Sequence, residues 1–263
     1  MLLESIQYRA NIVRAKHRGY FARFSWPRLC ELLLQSSGRW PSEALAVELA
    51  RDAGIVQYAT PVGNLWATES DRRWVGSTAV EILMGVYEHA EARLHPGSVV
   101  IDLGANLGTF TQLALDRGAA HVLAVEALPE HQECLRRSFA AEIASGRVSL
   151  VPYPVWSEKT KVRFAGSSLC GKVGEEGVEM ETVTIDEITR HLPRVDYIKA
   201  DIEGAERHAL AGAKETLGKW RPKVALCTYH YADDPVVISA LLHKFCPDYK
   251  LTFDRSRHHV YAW

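Results

Sequence analysis

The chain has 263 residues, 47% of them hydrophobic and 24% charged, with a formal net charge of -1. That is enough chain for one large core or two modest ones, and too little net charge to draw the whole molecule to nucleic acid or acidic lipid. Five cysteines, an odd number without a C-x-x-C pair, suggest neither a disulfide framework nor a zinc ribbon; with no long apolar run and no secretory signal, the expectation is a cytoplasmic protein without a membrane span.

Residues 1–30 carry six basic side chains against one acid, Glu4, with Leu3, Ile6, Tyr20, Phe21 and Phe24 among them. This reads as a docked helix with a solvated basic face; the alternative is a basic amphipathic arm for a membrane surface, a subunit or an anionic substrate. From Trp40-Pro41-Ser42 a helix is expected to run to Gly54, with proline at its first position. Ile55 to Thr60 and Leu65 to Thr68 flank Pro61-Val62-Gly63-Asn64, which predicts a β-hairpin. Thr78 and Glu81 have capping-box spacing ahead of Val80, Leu83, Met84, Tyr87 and Leu94, so a helix is expected to begin there and to end at His95-Pro96-Gly97. Residues 1–95 therefore read as a mostly helical extension with a small hairpin, suited to covering a second substrate or to making a homo-oligomeric contact. Trp66 and Trp74 could line that substrate's pocket, but most tryptophans are simply packed, and they are given no role.

The pattern changes at Val99-Val100-Ile101-Asp102-Leu103-Gly104-Ala105-Asn106-Leu107-Gly108-Thr109. Three apolar residues running into an acid and a glycine-spaced turn describe a buried parallel strand, a tight βα turn and a helix N-terminus. Gly104 and Gly108 let backbone approach a ligand, and the opening amides of the helix suit a polar or anionic group. Ala105, Asn106 and Thr109 complete this turn. A nicotinamide fingerprint does not call for a carboxylate two residues before its first glycine. Asp102 stands at that place and suits the methionine ammonium of S-adenosylmethionine. Val122 to Val125 is a second apolar strand, and Glu126 at its end is placed to accept both ribose hydroxyls.

A third strand is expected at Val148 to Val151, after a helix opened by Pro129. Ala127, Leu128, Val155, Trp156 and Ser157 then supply the walls of an adenine slot. Lys161 to Ala165 and Val178 to Val183 read as a hairpin with a glycine-rich tip, either a lid or an inert loop. Thr184 to Glu187 is a second capping box. The next strand leads into Lys199-Ala200-Asp201-Ile202-Glu203-Gly204, which puts Asp201 and Glu203 on the ligand rim beside Asp102 and Glu126. Four acids on one rim call for a cation, and a sulfonium cofactor is one; a divalent metal is the second reading, and no metal ligands are assigned. Lys223 to Tyr229 is a fifth strand with His230 at its end, and Tyr249 to Phe253 pairs with His259 to Trp263 in a closing hairpin.

These blocks together, with Leu210-Ala211-Gly212-Ala213, resemble the FkbM family of class I S-adenosylmethionine-dependent methyltransferases over roughly residues 96–230. Ala127 departs from the proline usual in that family. The resemblance implies an α/β, Rossmann-like catalytic domain over residues 96–263. Its seven-stranded, mostly parallel sheet would have an antiparallel last strand. The resemblance also implies O-methylation of a hydroxyl on a sugar, polyketide, peptide or lipid, with S-adenosylhomocysteine as the other product. Asp201, with His230 as the rival, is expected to accept the hydroxyl proton, and Glu203 to orient Asp201, Lys199 or the substrate. The competing readings are N- or carboxyl-methylation of a small molecule, a non-catalytic cofactor- or partner-binding module, and a nicotinamide oxidoreductase. The N/D-P-P-Y/F/W sequence of base-methylating enzymes is replaced by Asp201-Ile202-Glu203-Gly204, so no nucleic-acid partner is expected.

Overall fold

The computed structural model describes residues 45–166 and 172–263, together with residues 13 and 26–27. The basic arm and the start of the helix expected at Trp40 lie outside the described residues. Among the described residues, thirteen strands form three sheets. A first antiparallel sheet contains β1 (Val47–Asp52), β2 (Ile55–Ala59) and β3 (Asn64–Thr68). The parallel strands of the central sheet are β4 (Val99–Leu103), β5 (His121–Val125), β6 (Val148–Val151), β10 (Tyr197–Ala200) and β11 (Lys223–Cys227). With β12 (Leu251–Phe253) and β13 (His259–Ala262) it has the order β12-β13-β11-β10-β4-β5-β6, and β13 runs antiparallel to both neighbours. A third sheet, β8-β7-β9, is made of β7 (Lys161–Ala165), β8 (Lys172–Gly174) and β9 (Val178–Glu181). The expected fold class is the one observed.

The central strands are apolar on both faces because helices cover both. Alternate residues feed two cores. Val100, Val122, Ala124 and Tyr197 pack with Phe110, Leu113, Leu135 and Phe139. Ile101, Leu103, Leu123, Ile198 and Leu226 pack instead with Leu210, Leu217, Ile238 and Leu242. The first core also takes in Val62, Leu65, Ala79, Ile82 and Tyr87. Residues 45–94 thus extend that core with their own side chains.

Three local expectations are corrected. The chain from Val47 to Asp52 is a strand, whereas the sequence suggested a helix reaching Gly54. Ala53 and Gly54 are both left-handed, at φ 47° and 82°, and close a two-residue hairpin onto β2. Helix α1 (Arg72–Leu83) begins six residues before Thr78, whose hydroxyl donates back to the carbonyls of Trp74 and Val75 and so caps nothing. It stops at Leu83, so Tyr87 and Leu94 belong to the irregular segment that follows. The expected hairpin after residue 160 has gained a third strand, β8. The capping box at Thr184 is formed as read, opening helix α5 (Ile185–Thr189). The intervening helices are α2 (Thr109–Asp116), α3 (Pro129–Ser138) and α4 (Ala140–Ala144). They are followed by α6 (Glu206–Ala211), α7 (Lys214–Trp220) and α8 (Asp234–Phe245).

Candidate active site

Adjacent parallel strands β4 and β10 send their connections to opposite faces, and the crevice beyond their carboxyl ends is where such a sheet binds ligands. Gly104 stands at the end of β4 with φ +73°, and a Cβ there would lie 2.0 Å from the Asp201 carbonyl oxygen. No other residue fits. Gly108, at φ +82°, precedes α2, and its Cβ would lie 2.3 Å from the Phe139 ring. Between them Asn106 is also left-handed, at φ 52°, and its side-chain oxygen accepts from the Leu107 amide at 2.7 Å.

Glu126 ties this turn to the next. One carboxylate oxygen accepts from the Asn106 amide at 2.8 Å and the other from the Leu128 amide at 2.9 Å. Gln132 donates to the carbonyls of Glu126 and Ala127 and fixes the same loop. Burial pushes the Glu126 carboxyl up, opposed by His131, the two amides and Lys199. Each of its oxygens keeps a second lone pair for a ligand hydroxyl.

A cavity of about 550 Å³ opens over these residues, within the range of small-molecule and cofactor sites. Gly104, Ala105, Asn106, Thr109, Glu126, Ala127, Leu128 and Val155 line one side of it. Lys199, Asp201 and Glu203 line it at the end of β10. Five expected residues lie elsewhere. Asp102 is fully enclosed, 3.1 Å from the Lys199 ammonium and accepting from the Thr111 hydroxyl at 2.7 Å, so it holds the floor of the turn and does not meet a ligand ammonium. Gly108 shapes the turn from behind. Trp156 stacks on His208 with ring centroids 3.8 Å apart, and its neighbour Ser157 is likewise absent from the cavity wall, because the chain after Val155 turns toward α6 and pairs with Val183. His230 stands behind Asp201.

The other end of the cavity is built on Asp201. Tyr87 donates to one carboxylate oxygen at 2.7 Å and Tyr229 to the other at 3.1 Å. Burial would raise the Asp201 pKa, but Lys199, both tyrosines and His230 outweigh it and hold the carboxyl below its usual range. Lys199 donates to the carbonyls of Leu103 and Gly104 at 3.1 and 2.7 Å, so its charge is spent on the turn. Glu203 is left-handed at φ 56°, a conformation uncommon for that residue type. His230, lowered by burial, is pushed up to about 10 by Glu203, Glu206 and Asp201. Glu206 caps the turn, accepting from the amides of Ile202 and Gly204.

Sequence reading missed Tyr87, Tyr229, Glu81 and His131, all on the cavity wall. Phe164 and Val173 of the small third sheet line it too, and so does Trp74 of α1. Only contact across the fold marks them: Tyr87 meets Asp201 across 114 positions of sequence.

A family model described as the methyltransferase FkbM domain matches residues 102–246. The chain belongs to the FkbM methyltransferase family. The cofactor of such a methyltransferase is S-adenosylmethionine. The crystal structure of methyltransferase FkbM from Methylobacillus flagellatus KT superposes with a TM-score of 0.53 at 17% identity, covering 75% of this chain and 56% of that one, and so shares the fold. The 16S/23S rRNA (cytidine-2'-O)-methyltransferase TlyA of Mycobacterium tuberculosis is 43% identical over 99 residues, 35% of this chain and 36% of the relative. This FkbM chain thus spans little more than a third of the length of that curated relative. The TlyA match overturns one expectation. A weak net charge and a missing base-methylation motif do not exclude a nucleic-acid partner, because a ribose hydroxyl needs neither. No helix among the described residues is long and apolar enough to cross a membrane.

Proposed function

We propose that the chain transfers the methyl group of S-adenosylmethionine to a hydroxyl oxygen. The observation that carries this reading is the position of Asp201: an ionised carboxylate on the wall of the cavity that also holds the glycine turn and Glu126. Displacement at a sulfonium carbon needs chiefly that nucleophile and methyl be held about 3 to 3.5 Å apart and in line. The acceptor oxygen becomes strongly acidic as its new bond forms, so a weakly basic carboxylate is enough to take the proton. Asp201 is preferred to His230 in this role because it borders the cavity and His230 does not. Tyr87 and Tyr229 fix its plane.

The acceptor is proposed to be a hydroxylated small molecule, enclosed by Trp74 of α1 and by Phe164 and Val173. A ribose 2'-hydroxyl of RNA is the second reading, favoured by the TlyA match. Both are O-methylations at the same carboxylate. Cys134, Cys227 and Cys246 are free and buried, which supports a reducing compartment. Incubation with methyl-labelled S-adenosylmethionine and either hydroxylated metabolites or ribosomal RNA tests the proposal. Label should pass to one of these pools and fall about 10²- to 10⁴-fold with Asp201→Asn. Undiminished transfer by that variant would remove Asp201 from the mechanism.

A further inference from the structure

Behind the cavity wall, three carboxylates converge on one imidazole. Asp201 Oδ1 and Glu203 Oε2 lie 3.8 and 3.5 Å from Nε2 of His230, and Glu206 Oε1 lies 3.3 Å from its Nδ1. Negative charge is in excess here whatever the state of the ring, since Lys199 is engaged by Asp102 and the turn carbonyls. The His230 side chain is only 10% exposed, yet neither of its ring nitrogens makes a well-formed hydrogen bond. A buried imidazole with only loose contacts to its carboxylates leaves a nitrogen open to a better-placed ligand.

Donor atoms from Asp201, Glu206 and His230 all lie within 4.8 Å of one another. Ligands held about 2.0 to 2.2 Å from one ion stand closer together than this, so binding an ion draws the three donors inward. We infer that Asp201, Glu206 and His230 bind a divalent transition-metal ion, through one imidazole nitrogen and one oxygen of each carboxylate. The nitrogen favours manganese, iron, cobalt or zinc over magnesium and calcium, which take oxygen ligands. The ligands are themselves held. Glu206 is fixed by the amides of Ile202 and Gly204, and Asp201 by the hydroxyls of Tyr87 and Tyr229. An ion here locks Asp201 in the orientation it presents to the cavity. This inference concerns ion binding and stands apart from the identity of the acceptor.

The test is calorimetric titration of the chelator-treated full chain with Mn²⁺ alone and with Zn²⁺ alone, without cofactor. One saturable equivalent is expected, weakened at least about 10-fold in His230→Gln, with circular dichroism checking that the variant is folded. Pulsed electron paramagnetic resonance of Mn²⁺ on the unaltered chain reads the imidazole nitrogen directly, and keeps the test valid if the variant does not fold. The inference is overturned by absence of saturable binding up to millimolar ion, by equal binding in a folded His230→Gln, or by an Mn²⁺ signal without nitrogen coupling.

Discussion

The Lys199 ammonium and the Asp102 carboxylate lie 3.1 Å apart beneath the glycine turn, their side chains 6% and 0% exposed. The lysine spans from this acid to the carbonyls of Leu103 and Gly104, so the pair braces the point where β4 gives way to the cofactor loop. Removing one member strands the other's charge, a loss of about 3 to 5 kcal/mol. Lys199→Met is therefore expected to lower stability by that amount, read from its urea midpoint. The double variant Lys199→Met with Asp102→Leu should recover much of the loss.

Gly104 faces the Asp201 carbonyl too closely for any side chain. Gly104→Ala is expected to push β4 and β10 apart at their ends and to weaken S-adenosylhomocysteine binding at least about 100-fold, equivalent to about 2.7 kcal/mol. Gly146, with open space around its Cβ position, provides the control. Although it too has a positive φ of 75°, its alanine variant should leave cofactor affinity unchanged while costing some stability.

His131 and Asp71 are both fully buried, 3.1 Å apart, and join the segment before α1 to helix α3. Burial lowers the His131 pKa, but Asp71, Glu126 and Glu130 outweigh it and the net shift is upward. A histidine raised in the folded state contributes stability that is full below its unfolded pKa of about 6.5 and is lost as pH rises through the folded value. The stability difference between the protein and His131→Gln, measured by denaturant unfolding, should shrink as pH is raised from 6 through this window. A difference that grew with pH would contradict the assignment.

How far the sequence could be read depended on whether a residue's partner was local. The strand, turn and helix around Gly104, and the capping box at Thr184, follow from neighbours within a few positions. Val47 to Asp52 misled because its exposed, helix-compatible side chains are overruled by pairing to β2, and the tight turn at Ala53-Gly54 mimics a helix stop. Asp102 misled for a different reason. A carboxylate at a strand end is equally suited to a ligand or to a buried lysine, and Lys199 stands opposite it on the adjoining strand. Tyr87 and His131 carried no local signal at all.

Tyr87 donates to Asp201 from a segment that the first core holds in place. Tyr87→Phe removes one hydrogen bond to a charged group, worth about 1.5 to 3 kcal/mol. Turnover is expected to fall about 10-fold or more, with cofactor affinity preserved. Equal losses in both would mean that the phenol supports the fold and not the carboxylate.

The account rests most heavily on a cofactor held between the glycine turn and Glu126, and calorimetric titration with S-adenosylhomocysteine tests that directly. The wild-type chain should bind one equivalent, and Glu126→Gln should bind about 10- to 100-fold more weakly for the loss of a charged acceptor. No measurable heat from the folded wild-type chain, or equal affinity in the two proteins, would contradict it.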